Sequence, residues 1–199
     1  MAEKLTNRQI NALETKDAIY RAAISLFKSK GFENVLIEDI TKEANTAKGT
    51  FYVHFKSKKD LLFHTFNKFD ELYVEVYEKV QHLKTFEERF LTFFELSYKG
   101  IEERGKEIPR ALYYNSSLEI APHLLHNERD LFKLTLEMIS FGIKTGELSA
   151  KYSADYYLDK IKIIITGMDY MWCVAAEEID FAKYARENMR MCLNGLKNL

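Results

Sequence analysis

The sequence predicts an all-α protein of about nine helices. Its 199 residues contain only two prolines and eight glycines, and 47% of them are hydrophobic. The apolar residues recur at intervals of three and four rather than two, which is the spacing of one helix face. Few segments show the β-branched alternation typical of strands. The length fits either one compact unit or a small head on a larger body.

A helix-turn-helix is predicted early in the chain, within residues 37–60. Ile40 and Ala44 fall on one face of a short first helix. Asn45 occupies a tight turn, where a left-handed residue is needed and Asn is tolerated. Thr46 is the predicted N-cap of the second helix, because its hydroxyl can accept a hydrogen bond from an unpaired backbone N–H.

The second of these helices carries an unusual outward face. Ala47 and Phe51 are predicted to pack against the first helix. Glycine inside a helix costs about 1 kcal/mol relative to alanine, so Gly49 indicates close approach of another backbone. Hydrogen-bond donors flanked by lysines fit a recognition helix in a major groove, with phosphate contacts at its ends. The predicted DNA-binding residues are Lys48, Gly49, Thr50, Tyr52, Val53, His54, Lys56 and Lys58.

This stretch resembles the DNA-binding head of the tetracycline-repressor (TetR/AcrR) family of bacterial regulators. The matching residues are Ile40, Ala44, Lys48-Gly49-Thr50-Phe51-Tyr52, Phe55, Lys58 and Leu61-Leu62, preceded by Leu26-Phe27 and Gly31-Phe32. Two positions depart from the family pattern. Asn45 replaces the usual turn glycine, and Leu36 replaces the threonine that caps the first helix, so we expect that helix start to lack a cap.

The resemblance implies a transcriptional regulator that binds a palindromic double-stranded DNA operator as a homodimer. Lys48 and Thr50 would reach base edges, and Tyr52 and Lys58 would contact phosphates, while His54 suits either role. The charge distribution agrees with DNA contact at one end. Residues 1–60 carry 11 Lys/Arg against 8 Asp/Glu, whereas the remainder carries 18 against 22.

The predicted organisation is a helix-turn-helix domain over residues 1–56 and a ligand-binding and dimerisation domain over 57–199. A long helix from Ser57 to about Gln81 joins the two, and Ser57 with Asp60 forms a predicted capping box. Further predicted helix starts are Thr6 with Gln9, Asn127, Ser153 and Asp180.

The body is rich in aromatic residues, which line many small-molecule pockets and also fill ordinary cores. The predicted pocket residues are Phe66, Phe69, Tyr73, Phe94, Tyr98, Tyr113, Asn115 and Tyr170. The most apolar part of the body contains only one basic residue, Lys162. A neutral or lipophilic effector, which would release a repressor from its operator, is therefore favoured over a strong anion.

A helix that is apolar on almost every side is predicted over residues 161–174, and such a helix must be covered all round. One side can pack on the body's own core, and the other can meet a second copy through a twofold four-helix interface. The resemblance also implies dimerisation by the last two helices. The predicted interface residues are Met171, Val174, Tyr184, Met189, Leu193 and Leu196.

Two alternatives remain open from sequence. An all-helical enzyme would need a site, and His123 with His126 near Glu119 and Glu128 is the only cluster that suggests one. The spacing and the nearby Pro122 favour plain loop histidines. The second alternative is a regulator, repressor or activator, whose body senses a protein partner. An exposed apolar patch over a filled core would favour it.

The remaining features predict no metal, no cofactor, no catalytic residue and no membrane contact. Cys173 and Cys192 lie in apolar helical patterns without metal-ligand spacing, which predicts reduced thiols. The N-terminal segment has no apolar core typical of a signal peptide. We therefore expect a soluble cytoplasmic protein.

Overall fold

The computed structural model describes residues 6–114 and 126–199, and within them every regular element is an α-helix. The nine helices of these residues are α1 (Asn7–Lys30), α2 (Ile37–Glu43), α3 (Lys48–His54), α4 (Lys58–Val80), α5 (Phe86–Arg104), α6 (Glu107–Tyr114), α7 (Asp130–Lys144), α8 (Ala154–Val174) and α9 (Phe181–Lys197). The predicted all-α class is confirmed. No helix in the described ranges is both long and apolar enough to cross a membrane.

The chain divides into two compact units, Met1–Thr65 and Phe66–Leu199. The division falls within α4, beyond the boundary predicted after residue 56. The smaller unit contains the helix-turn-helix, and the larger contains the predicted pocket and dimer residues. The functional assignment of the two units remains a prediction.

Several helix ends form as the sequence predicts. Thr6 and Gln9 make a capping box at the start of α1, and Gly31 ends that helix with φ of 78°. Asn45 adopts φ of 49°, so it supplies the left-handed turn between α2 and α3. The side chains of Ser153 and Asp180 accept backbone N–H groups at the starts of α8 and α9.

Other helix ends differ from the prediction. The N-cap of α3 is Ala47 rather than Thr46, and Ala47 is exposed instead of packing on α2. Although Leu36 has no capping side chain, the Asp39 carboxylate accepts the Leu36 N–H at 3.0 Å, so the start of α2 is capped from within the helix. The predicted cap Asn127 lies outside α7, whose N-cap is Arg129.

The predicted capping box at the start of α4 forms only in part. The Ser57 hydroxyl accepts the Asp60 N–H at 3.3 Å. The Asp60 carboxylate, however, accepts from the N–H of Lys56 at 2.8 Å rather than from Ser57. These two hydrogen bonds still satisfy backbone N–H groups at the start of α4, as a complete capping box would.

The larger unit is built around α5, which packs along α9, while α8 contacts α6, α7 and α9. Aromatic side chains fill its centre, and Phe86, Phe90, Phe93 and Phe94 have no exposed surface. Trp172 stacks on Phe181 with ring centroids 4.2 Å apart. This packed core leaves one aromatic-lined space open near α4 and α8, described below.

Candidate nucleic-acid interface and effector cavity

Helix α3 packs one side against the smaller unit and presents the other to solvent. Phe51 is fully buried and Phe55 nearly so, and their rings contact each other at 5.7 Å between centroids. On the opposite side Tyr52 is 50% exposed and Val53 is 78% exposed. A solvent-exposed apolar side chain such as Val53, on a helix whose other side is packed, is typical of a surface that binds a partner.

The other predicted DNA-binding residues surround this face. Lys48, Gly49 and Lys56 are exposed, whereas Thr50 and His54 are half-buried at its edge. A Cβ atom built at Gly49 would meet no described atom within 4 Å. Among the described residues, no packing contact therefore requires glycine at this position.

An ion pair that the sequence analysis missed crosses this surface. Lys48 Nζ lies 2.5 Å from Oε1 of Glu38 on α2, and both side chains are more than half exposed. Hydrogen bonding to Lys48 lowers the pKa of Glu38, and hydrogen bonding to Glu38 raises the pKa of Lys48. Glu38 is ten residues before Lys48 in sequence, and the tight turn at Asn45 brings their helices together.

Lys58, predicted as a phosphate contact, is bound within the smaller unit instead. Its ammonium lies 4.4 Å from the centroid of the Phe32 ring. It also donates to three backbone carbonyls in the connection between α1 and α2, those of Phe32 at 2.7 Å, Glu33 at 3.4 Å and Val35 at 3.0 Å. The side chain thus ties the start of α4 to that connection, and a phosphate contact would compete with these bonds.

A cavity of about 210 Å³ lies in the larger unit. Helices α4 to α8 and the first residue of α9 contribute to its wall. It is lined by Phe66, Phe69, Tyr73, Ile101, Pro109, Leu112, Tyr113, Arg129, Leu131, Phe132, Ile165, Thr166, Asp169, Trp172 and Phe181. Most of the lining is apolar or aromatic, as in small-molecule sites generally.

Four of the predicted pocket residues line this cavity: Phe66, Phe69, Tyr73 and Tyr113. Phe94 and Tyr98 are instead buried in the core. Tyr170 is 52% exposed and contacts the Tyr113 ring from outside, at 6.1 Å between centroids. Asn115 lies outside the described residues. Helical spacing identified the inward aromatic residues but gave no means of separating a cavity wall from a filled core.

The charged residues of the cavity were missed. Arg129 lines it and pairs with Asp70 at 3.0 Å, and both side chains are less than a fifth exposed. The expectation that Lys162 is the only basic residue near the apolar body therefore needs correction. Burial raises the pKa of Asp70, against the opposing effect of Arg129. Arg129 follows a segment that reads as loop, so its sequence context gave no signal.

Asp169 supplies the second acid of the cavity. The hydroxyl of Tyr113 lies 3.4 Å from its Oδ2, as a long hydrogen-bond donor. Asp169 retains some accessible surface where it lines the cavity, yet burial among protein atoms raises its pKa to about 6. Burial also raises the pKa values of Tyr98 and Tyr113, so both phenols stay protonated. One signal was available in sequence: Asp169 interrupts the most apolar helix of the chain.

The exposed face of α8 carries a row of apolar side chains. Ile163, Tyr170, Met171 and Val174 are all between 46% and 66% exposed, and Met191 on α9 is 73% exposed. Gly167 and Gly195 lie on the same exposed faces, and a Cβ at either would meet no described atom within 4 Å. This row agrees with the predicted uncovered side of α8.

Three predicted interface residues do not belong to that surface. Met189 and Leu193 have no exposed area and Leu196 has only 5%, because they face α5 within the subunit. Their assignment to a dimer interface is corrected, since a side chain buried in its own subunit has nothing to offer a partner. Tyr184 is half-buried at the edge of this core.

The histidine cluster considered for an enzyme receives no support. Glu119 and His123 lie outside the described residues, and His126 Nδ1 accepts the backbone N–H of Glu128 at 3.3 Å. Within residues 6–114 and 126–199, no group of three His, Cys, Asp or Glu side chains is arranged to hold a metal ion.

Comparison with known proteins gives a family match within the smaller unit. Residues 19–65 match the family model described as bacterial regulatory proteins, tetR family. The uncharacterised HTH-type transcriptional regulator YerO of Bacillus subtilis is 47% identical over 49 residues, which cover 25% of this chain and 17% of that protein. The aligned segment thus spans about a sixth of that relative's length.

Solved structures share the whole fold. FadR from Bacillus subtilis in complex with stearoyl-CoA superposes with a TM-score of 0.76 at 18% identity, covering 90% of this chain and 98% of that one. A TetR-family regulator from Syntrophomonas wolfei superposes with a TM-score of 0.69 at 26% identity, covering 93% and 94%. Residues 19–65 thus match the tetR family of bacterial regulatory proteins, and the fold of the chain matches that of a TetR-family regulator over nearly its whole length.

Proposed function

We propose that the protein is a sequence-specific transcriptional repressor, acting in the cytoplasm as a homodimer and released from a palindromic operator by a small lipophilic effector. The observation that carries this proposal is the outward face of α3. Tyr52 and Val53 are exposed there beside Lys48, around a glycine whose missing side chain is not required by any contact with the described residues. A rigid helix with this surface fits the major groove of duplex DNA.

The solvent exposure of the side chains on and beside α3 indicates which of them would contact bases and which would contact phosphates. Lys48 and Thr50 suit base edges, and Lys48 can donate to guanine once Glu38 releases it. Val53 is placed to contact a thymine methyl group. Tyr52 and Lys56 suit phosphates, which set affinity and register rather than sequence choice. We assign Lys58 to holding the shape of the unit, because three carbonyls already bind its ammonium.

Two copies are needed to read a palindrome. The exposed row on α8, with Met191 of α9, suits pairing with the same row of a second copy across a twofold axis. Open glycines at 167 and 195 permit close approach of the helices. Such pairing would present two α3 helices to major grooves roughly 34–36 Å apart.

The pairing has a direct test in solution. Met171→Glu places a charge in the centre of the exposed row, so we expect it to convert dimers to monomers at micromolar concentration. Lys79→Glu, on an exposed position of α4 outside this surface, serves as a control for altered surface charge. Sedimentation velocity distinguishes the two states. A wild-type monomer, or a dimer unaffected by the change at Met171, would contradict this interface.

The effector site is the cavity of the larger unit. Its aromatic lining supports a lipophilic ligand, and the FadR structure with stearoyl-CoA is consistent with ligand binding by this architecture. A ligand favouring one pose of α4 would shift the population of DNA-competent dimers. A coupling of about 1–3 kcal/mol would weaken DNA binding roughly 5- to 150-fold.

The test of the function has two stages. Purified protein is first used to enrich genomic DNA fragments, and we expect recovery of a short palindrome whose binding weakens steeply with salt. A ligand panel is then screened for release of that DNA. Uniform recovery of all fragments would overturn the DNA-binding proposal. Recovery of an operator that no panel member releases would remove the effector part.

A further inference from the structure

Two charged side chains, Arg129 and Asp169, line the cavity. Arg129 pairs with Asp70 at 3.0 Å. The side chains that hydrogen-bond to Asp169 are the neutral phenols of Tyr98 and Tyr113, and the Tyr113 hydroxyl lies 3.4 Å from its Oδ2. Among the described residues, none of the ion pairs includes Asp169. Asp169 is therefore the charged group of the lining that has no ion-pair partner among these residues.

The surroundings of Asp169 disfavour that charge on its own. Aromatic and aliphatic side chains make up most of the lining, and they cannot solvate a carboxylate. Burial accordingly raises the pKa of Asp169 to about 6, so the carboxylate is ionised at neutral pH at a cost. A cation entering the cavity would offset that cost directly.

The cavity wall also suits a cation. Tyr73 and Trp172 contribute aromatic rings to the same lining as Asp169, whereas the Phe132 ring already lies 4.6 Å from the ammonium of Lys162. The face of an aromatic ring attracts a positive charge, most strongly when water is excluded. The rest of the lining is apolar, which favours a hydrocarbon body attached to that charge.

We propose that the effector is a lipophilic amine, bound as a monocation with its ammonium group at Asp169 and its apolar part along the aromatic wall. This inference rests on the proposed function, because it names the ligand class of the same cavity. An anionic ligand is disfavoured by Asp169 and finds Arg129 already paired with Asp70. A neutral ligand of the same shape would bind without the charge contribution.

The test uses three probes of equal chain length: octylamine, octanol and octanoate. Titration calorimetry with the full chain at pH 7.5 is expected to give at least tenfold tighter binding for octylamine than for octanol, with octanoate weakest. Asp169→Asn should remove the amine preference and leave octanol affinity within about twofold. Asp159→Asn, an exposed change on the same helix, should alter neither.

The pH dependence adds an independent readout. The groups around Asp169 are Tyr98 from α5, Tyr113 from α6, Tyr73 and Asp70 from α4, Arg129 ahead of α7, and Cys173 one turn along α8. Burial holds the phenols and the thiol neutral below pH 8, and it raises the pKa of Asp70 as well as that of Asp169, so these two carboxyls are the groups of this set that titrate nearest to the range of pH 5 to 7.5. Octylamine affinity should fall about tenfold from pH 7.5 to 5, while octanol affinity stays constant.

The outcomes separate this inference from the proposed function. If octanoate binds most tightly, or if Asp169→Asn keeps the amine preference, the amine inference is wrong. If all three probes bind equally and release operator DNA, the effector function stands and the amine inference fails. If none binds, the amine inference fails, and the ligand panel decides the effector part of the proposed function. Asp169→Ser provides a second variant should the asparagine variant not fold, and the wild-type series and its pH profile need no variant.

Discussion

Replacing Asp169 by asparagine should stabilise the folded protein at neutral pH. Burial raises the pKa of this carboxyl to about 6, from 3.8 for an unperturbed aspartate. Between these two values the folded state binds more protons than the unfolded chain. The free energy of unfolding therefore falls as the pH rises through this window, and the loss is complete above the folded-state value.

The size of the effect follows from the shift. About two pKa units at roughly 1.4 kcal/mol each correspond to a cost of roughly 2–3 kcal/mol for the ionised carboxylate at pH 7.5. Asparagine cannot ionise and its amide oxygen still accepts a hydrogen bond from Tyr113. We therefore expect Asp169→Asn to gain about that much at pH 7.5 and only roughly 1 kcal/mol at pH 4.5.

Urea denaturation at the two pH values and one fixed protein concentration measures this difference. Asp159→Asn on the exposed side of α8 is the matched control, and we expect no comparable gain from it. A gain that does not change with pH would show that ionisation of Asp169 is not its source. A loss at both pH values would mean that the carboxylate is structurally required, and the reasoning about its cost would be wrong.

Three further predictions concern the smaller unit. Gly49→Ala should raise the free energy of unfolding by roughly 0.5 kcal/mol, because the added Cβ meets no described atom and alanine favours the helix. The same change should weaken DNA binding, as measured by fluorescence anisotropy. Glu38→Gln should free Lys48 and remove an anion from the DNA-facing surface, tightening DNA binding in the same assay at low salt. Lys58→Met should lower the free energy of unfolding by about 1–2 kcal/mol in urea denaturation, since three carbonyls lose a charged donor. Lys56 is exposed nearby, and Lys56→Met should weaken DNA binding without loss of stability.

Local chemistry explains why much of the smaller unit was predictable from sequence. Caps and turns depend on neighbouring residues, so Thr6 with Gln9 and the left-handed Asn45 could be recognised directly. Local sequence does not, however, fix the exact residue at which a helix begins. Whether Thr46 or Ala47 begins α3 depends on one residue of register, and helix boundaries are the least certain part of any sequence interpretation.

Interactions between distant segments account for most of the errors. The pattern of lysines around α3 gave no sign that Lys58 would bind carbonyls more than 20 residues earlier, or that Lys48 would pair with Glu38. On α9, helical spacing correctly marked Leu193 as inward. Helical spacing cannot tell whether an inward residue faces the subunit's own core or a partner subunit. Leu193 is buried in its own subunit, where α9 packs along α5.

The cavity shows the same limit in its polar residues. Aromatic residues at helical spacing indicated the right region, and Tyr73 and Tyr113 do line the space. Asp169 and Arg129 come from different segments, and only the packed helices bring both to one cavity. Two charges so far apart in sequence do not form a motif, although an acid within the most apolar helix is a signal worth following.

The proposed repressor function depends on α3 lying against the base edges of duplex DNA and on a paired body that presents two copies of α3. Its most direct test is to select DNA from a random pool with the wild-type protein and with Lys48→Ala, and to compare the selected sequences. We expect a palindrome for the wild type, and for the variant an altered base preference at two symmetric positions roughly one helical turn apart. A variant that binds every sequence equally more weakly, or selects the same bases as the wild type, would contradict it.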